Sequence, residues 1–223
     1  MKKQNAEDFS DKIRKVVLGS PVSPIGMERN DICLTLLGER RLDNFSELIR
    51  ASKNVEGAIM ETGVWKGGAC MMAKAVLKEL KSDKLLFVCD SFDGMPPVVS
   101  EKDTIDYTDG QWEWLRIPMK EVKGSFKKHK LLDKKVIFIK GFFSESLVGF
   151  NQPLSVLRTD CDMYDGTMDV MKNCYHLINK GGYMIVDDYA IPPCRQAIED
   201  FRAQNNITNP MTKVDWTGVY WQI

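Results

Sequence analysis

Five acidic residues of this 223-residue chain each follow a short, almost wholly apolar run. Glu61 closes GAIME, Asp90 closes LLFVCD, Asp160 closes PLSVLRTD, and Asp187 and Asp188 follow GYMIV. Runs of this length and composition read as buried strands of a parallel sheet. Ligands of such sheets bind beyond the carboxyl ends of the strands, near the switch in strand order. Asp160, Asp187 and Asp188 therefore stand where a site forms. Three carboxylates at neighbouring strand ends repel one another without a cation, and a hard divalent ion such as Mg²⁺ favours oxygen donors while keeping positions open for water or substrate. The bland alternative is a set of solvated loop acids or helix caps, with Asp162 of Asp160-Cys-Asp162 among them.

Two further constellations bear on a ligand. Glu61-Thr62-Gly63-Val64-Trp65-Lys66-Gly67 places glycines in a strand-to-helix turn, where the backbone can approach a ligand and the next helix offers unpaired N–H groups. It lacks the G-x-G-x-x-G of dinucleotide folds, and E-x-G-x-x-x-G is instead a pattern of S-adenosylmethionine binding, although strand-to-helix turns often carry glycine for other reasons. Asp90-Ser91, after the second strand, suits an acceptor for ribose hydroxyls, and Asp93-Gly94 is also a common turn. Asp160-Cys-Asp162 equally matches the D-x-D of metal-dependent glycosyltransferases. His129 and His176 fall in expected helices and read as surface or packing residues. Trp112 and Trp114 lie in a long polar and aromatic segment, 96–118, that is either a lid or a packed surface loop.

The elements that must position these groups alternate. GAIMETG, LLFVCD, KVIFIKG, PLSVLRTD, GYMIVDD and GVYWQI read as strands. KGGACMMAKAVLKELK, MKEVKGSFKKHKLL, TMDVMKNCYHLI and PPCRQAIEDFRAQNN read as helices, the third stopped by Asn-Lys-Gly-Gly with Gly181 left-handed. The expected architecture is α/β, a parallel sheet with helices on both faces. Residues 1–54 read as an N-terminal helical cap, broken at Gly19, Pro21, Pro24 and Gly26 before a second stretch from about 30 to 53. Residues 55–223 form the catalytic domain, with 96–118 as its lid-like insertion.

Composition narrows the class. Lys plus Arg and Asp plus Glu each number 31, so no broad basic face is available and no nucleic-acid partner is expected. No stretch approaches 18 consecutive apolar residues, and the N-terminus lacks the apolar segment of a secretory signal. Six cysteines without C-x-x-C spacing read as reduced, buried thiols. The expectation is a cytoplasmic protein with no membrane partner.

TLLGERRLDN, METGVWKGGAC, CDSFDGMP, GFFSESL, VLRTDCDMYDGTMD, GGYMIVDDYAIPPCRQAIEDFR and DWTGVYW, in this order, resemble the macrocin O-methyltransferase family, which modifies sugars in antibiotic biosynthesis. The resemblance implies a class I S-adenosylmethionine-dependent methyltransferase (Rossmann-like) fold, whose seven-stranded, mostly parallel sheet ends in an antiparallel strand. It implies S-adenosylmethionine as donor, Mg²⁺ as cofactor, and a hydroxyl of a small-molecule acceptor, a sugar or glycosylated natural product. By position it makes Asp160, Asp187 and Asp188 metal ligands, with Asp160 also assisting deprotonation of the acceptor. Glu61, Thr62 and Gly63 match contacts to the methionine end of the donor, Asp90 and Ser91 the ribose contacts, and Phe143 and Glu145 the adenine contacts. Thr35 and Leu36 match a segment that closes over the donor. A homodimer or higher homo-oligomer is implied as well. Phe142-Phe-Ser-Glu145 replaces the usual Trp-Phe-Lys-Asp, Leu36 replaces methionine, and 96–118 departs from the lid that binds the antibiotic sugar. A catechol-type O-methyltransferase, a D-x-D glycosyltransferase and a non-catalytic protein of the same fold are the alternatives.

Overall fold

A computed structural model describes residues 8–19 and 33–223. The expected break at Pro21, Pro24 and Gly26 lies outside the described residues. Seven strands form one sheet in the order β3-β2-β1-β4-β5-β7-β6. They are β1 (Ala58–Thr62), β2 (Leu86–Asp90), β3 (Val136–Lys140), β4 (Leu154–Thr159), β5 (Ile178–Val186), β6 (Thr212–Lys213) and β7 (Val219–Gln222). The first five strands pair in parallel, and β7 runs antiparallel to both β5 and β6. The strand order reverses between β1 and β4, so the crevice at their carboxyl ends is where a ligand belongs.

Side chains alternate across each strand, and the two faces of the sheet carry separate apolar clusters. On one face Ile59, Val88, Val156 and Ile185 pack against α1 (Phe9–Leu18), α2 (Glu39–Ala51), α3 (Gly68–Glu79) and α4 (Met119–Lys128). On the other, Met60, Phe87, Leu157, Met184 and Trp221 pack against α6 (Tyr164–Cys174) and α7 (Pro192–Gln204). The N-terminal helices thus belong to the same core as the sheet. Leu42, Phe45 and Ile49, spaced three and four apart, line the inner face of α2. Burying each of these side chains contributes roughly 1.5–3 kcal/mol.

One expectation changes on the structure. Helix α6 ends at Cys174, a 3₁₀ turn follows at Tyr175–Leu177, and Asn-Lys-Gly-Gly lies inside β5. Gly181 does have positive φ (86°), but it accommodates an irregularity in a strand instead of stopping a helix. The apolar Ile178 pairs with Leu154 of β4, and this tertiary pairing begins the strand early. Within the expected second stretch, from about 30 to 53, the helix among the described residues is α2, Glu39–Ala51. Strand β6 and the one-turn α5 (Phe143–Ser146) carried no readable pattern, being two and four residues long. No disulfide forms, and all six cysteines are buried. Among the described residues no helix is long and apolar enough to cross a membrane.

Candidate active site

The turn after β1 is the tightest point of the crevice. Gly63 has φ 79°, and a Cβ there would lie 1.7 Å from the Asp160 carbonyl oxygen, so only glycine fits. That contact brings the end of β4 against the turn, where Asp160 N–H donates to Thr62 O at 2.9 Å. The Asp90 carboxylate ties the same turn to β2. Its Oδ2 accepts from Val64 N at 2.7 Å and Trp65 N at 3.3 Å, and its Oδ1 from Phe92 N at 2.7 Å and the Ser91 hydroxyl at 3.3 Å. Burial raises the Asp90 pKa against the opposing effect of these hydrogen bonds.

A cavity of about 440 Å³ opens beside this turn, lined among others by Gly63, Asp90, Ser91, Phe143 and Asp160. Its size falls in the range of small-molecule sites. Glu61 does not line it. The Glu61 carboxylate is 2% exposed, bonded to Arg158 and to the Cys70 thiol. Burial pushes its pKa up to about 7, partly opposed by Arg158. Thr62 is also buried, and Glu145 points outward from α5. Thr35 lies beside the start of α3, where Gly68 N–H donates to Leu34 O at 2.8 Å, and Leu36 is half-buried next to it. Neither lines the cavity.

Asp160, Asp187 and Asp188 converge at the adjoining ends of β4 and β5, each offering an oxygen within 4.8 Å of the other two. Oxygen ligands of Mg²⁺, at about 2.1 Å from the ion, are separated by at most about 4.2 Å, so small side-chain movements would close the set. Asp188 also accepts from Asp162 N–H at 3.1 Å, and Asp162 has φ 55°.

Two arginines stand in this cluster that the motifs left unread. Glu61 is the direct neighbour of Arg158 across β1 and β4, and alternation carries Asp187 to the same face. Arg158, 1% exposed, reaches Glu61, Asp160 at 2.9 Å and Asp187 Oδ1 at 2.6 Å. Arg41 arrives from α2 and pairs with Asp187 Oδ2 and, through Nε at 3.1 Å, with Asp215. The carboxylates are therefore partly neutralised by protein, which corrects the expectation that only a cation could relieve them. The signal for Arg158 was a charge inside an apolar strand, which demands buried partners.

Neutralisation is incomplete. Burial and the neighbouring Asp160, Asp162 and Asp187 hold the Asp188 pKa well above the carboxylate range. Burial, then Asp160 and Asp187, pushes Asp162 up to about 7. Neither arginine is bonded to Asp188 or Asp162. An excess of hard oxygen donors beside two fixed guanidiniums is a chemistry that fits a divalent cation.

Segment 96–118 is mostly exposed and is anchored at a few points. Asp103 is buried and accepts from Tyr164 N–H at 2.5 Å and Asp165 N–H at 3.4 Å, capping α6 from outside its own sequence. Tyr107, Trp112, Trp114 and Trp65 form a chain of ring contacts 5.0–6.1 Å apart. His129 caps the end of α4 and His176 lies in the 3₁₀ turn, and neither lines the cavity.

The sheet order is that of the class I methyltransferase fold. The family profile described as Macrocin-O-methyltransferase (TylF) matches residues 2–223. The chain belongs to this family and is an O-methyltransferase. It is 35% identical to the 8-demethyl-8-(2,3-dimethoxy-alpha-L-rhamnosyl)-tetracenomycin-C 4'-O-methyltransferase of Streptomyces olivaceus, over 89% of this chain and 78% of that protein. It is 31% identical to the mycinamicin III 3''-O-methyltransferase of Micromonospora griseorubida, over 98% and 90% of the two. The solved structure of the O-methyltransferase NovP superimposes with a TM-score of 0.89 at 33% identity, over 96% of this chain and 97% of that one.

Proposed function

We propose that this enzyme moves a methyl group from S-adenosylmethionine to a hydroxyl of a sugar or glycosylated small molecule, with a divalent cation held by Asp160, Asp187 and Asp188. The observation that carries the reading is that Asp160 belongs both to the acidic triad and to the wall of the cavity. It joins an ion site to a cofactor-sized space. The names of the relatives, which act on glycosylated antibiotics, support the acceptor class.

When bound, the cation supplies charge that acidifies an acceptor hydroxyl, and the donor supplies an electrophilic methyl group. The chain's own residues do the rest. Gly63 lets the backbone approach the methionine end of the donor, with Glu61 and Thr62 behind it as support. Ser91 and Asp90 face the ribose, which requires them to exchange some of their present hydrogen bonds for ribose hydroxyls. Phe143 packs on the adenine, Glu145 stands at its rim, and Thr35 and Leu36 close the N-terminal side. Asp160 takes the hydroxyl proton as the O–C bond forms and the S–C bond breaks. Arg158 donates to Asp160 at 2.9 Å and fixes its direction, and such positioning accounts for much of the rate. In this reading 96–118 is the acceptor-side lid and 1–54 the cap.

Calorimetric titration with S-adenosylmethionine and with a UDP-sugar, each with and without Mg²⁺, tests the proposal. S-adenosylmethionine alone should bind. Binding of the UDP-sugar in its place would favour the glycosyltransferase reading and overturn this one.

A further inference from the structure

Asp187 has both carboxylate oxygens committed to guanidinium groups, Oδ1 to Arg158 and Oδ2 to Arg41. The two partners differ in freedom. Arg158 is sealed in the sheet and holds three carboxylates, so it cannot leave. Arg41 is carried by α2, retains 12% exposure, and has a second acceptor in Asp215. Asp215 is itself fixed by Thr217 and Gly218 N–H groups at 3.0 and 2.8 Å. Arg41 can therefore give up Asp187 and remain paired.

We propose that Arg41 competes with the divalent cation for Asp187 and so couples occupancy of the ion site to the seating of α2. The inference rests on the metal reading given above. A fixed positive charge on a ligand carboxylate opposes a second cation there, and the opposition is reciprocal, because a cation that weakens the Arg41–Asp187 pair is itself weakened by that pair. Helix α2 follows directly on residues 34–37. Leu34 O accepts from Gly68 N–H at the cofactor turn, and Leu37 N–H donates to the Thr35 hydroxyl at 3.2 Å. Loosening Arg41 thus acts on the element that leads into the donor-side segment. Ion and donor sites are linked through one side chain of the N-terminal region.

The test combines calorimetric titration of Mg²⁺ and Mn²⁺ with amide hydrogen exchange over residues 39–51. Arg41→Gln should bind the cation about tenfold more tightly than wild type, within the usual range of coupling between sites. Arg41→Lys, which keeps the charge, should stay within about twofold. In the wild type, adding Mg²⁺ should speed exchange in 39–51, and in Arg41→Gln exchange should be fast already and insensitive to Mg²⁺. The wild-type exchange experiment needs no variant, so it decides the matter even if Arg41→Gln fails to fold. Unchanged or weaker cation binding in Arg41→Gln, or wild-type exchange in 39–51 indifferent to a bound ion, overturns the competition alone. A wild type that binds neither ion overturns the metal reading and this inference with it.

Discussion

The two halves of the crevice are built in different ways. At the ends of β1 and β2 the site is made of backbone, with Gly63 pressed on the Asp160 carbonyl and Asp90 gathering N–H groups from the neighbouring turn. At the ends of β4 and β5 it is made of charge, with six carboxylates, those of Glu61, Asp160, Asp162, Asp187, Asp188 and Asp215, around the guanidiniums of Arg41 and Arg158. The first half has one allowed shape, set by sterics. The second is a balance between buried carboxylates and two guanidiniums, which a cation of the proposed kind would shift. The contrast teaches that donor binding and cation binding answer to different substitutions.

The largest effect should come from removing the buried centre of the charged half. Arg158→Met leaves Glu61, Asp160 and Asp187 without their shared partner, and loss of one member of a buried pair costs about 3–5 kcal/mol. Urea unfolding would measure it. In the backbone half, Gly63→Ala forces a Cβ onto a carbonyl oxygen at a residue with φ 79°. Strain of this kind costs of order 1–3 kcal/mol, and S-adenosylmethionine affinity measured by calorimetry should fall with it. If Arg158→Met were the milder variant, the contrast between the halves would fail.

Asp188→Asn should act in the opposite direction. A buried carboxylate crowded by like charges opposes folding, so neutralising it should stabilise the ion-free protein by roughly 1 kcal/mol. Thermal unfolding should show a higher Tm without Mg²⁺ and no further rise when Mg²⁺ is added, where the wild type does rise.

The smallest effect lies outside both halves. Burial acts to raise the Glu79 pKa, but hydrogen bonds from Arg50 and from Ser10 N–H outweigh it and hold the carboxyl below the glutamate range. Its folded pKa is thus lower than its unfolded one. The stability it contributes is complete above the ordinary value and is lost as pH falls through the lowered one. Glu79→Gln should flatten that part of the acid limb while changing neutral-pH stability by under about 1 kcal/mol, as expected of a partly exposed pair. Unfolding followed as a function of pH would show it.

The same contrast explains what was legible in the sequence. Glycines, strand-ending acids and apolar runs are local signals, and they located six of the seven strands, the order of elements and the acidic triad. Ile178 and β6 were missed because their strand character comes from partners, Leu154 and β7, and not from their own neighbours in sequence. Arg41 lies 146 positions from Asp187, and nothing local announces that pair. Glu61 was legible as a strand-end acid, but alternation turns its side chain to Arg158 and away from the cavity wall. Asp103 caps a helix 61 residues away, and nothing in its own segment announces that pairing.

One measurement reaches the central claim most directly. Transfer of labelled methyl from S-adenosylmethionine to a panel of glycosylated acceptors would be followed with Mg²⁺, after chelation, and after Mg²⁺ is restored, for the wild type and Asp188→Asn. The account predicts product with Mg²⁺, at least about a hundredfold loss on chelation, recovery on restoration, and no recovery in Asp188→Asn. Turnover that is indifferent to chelation and to Asp188 would contradict it.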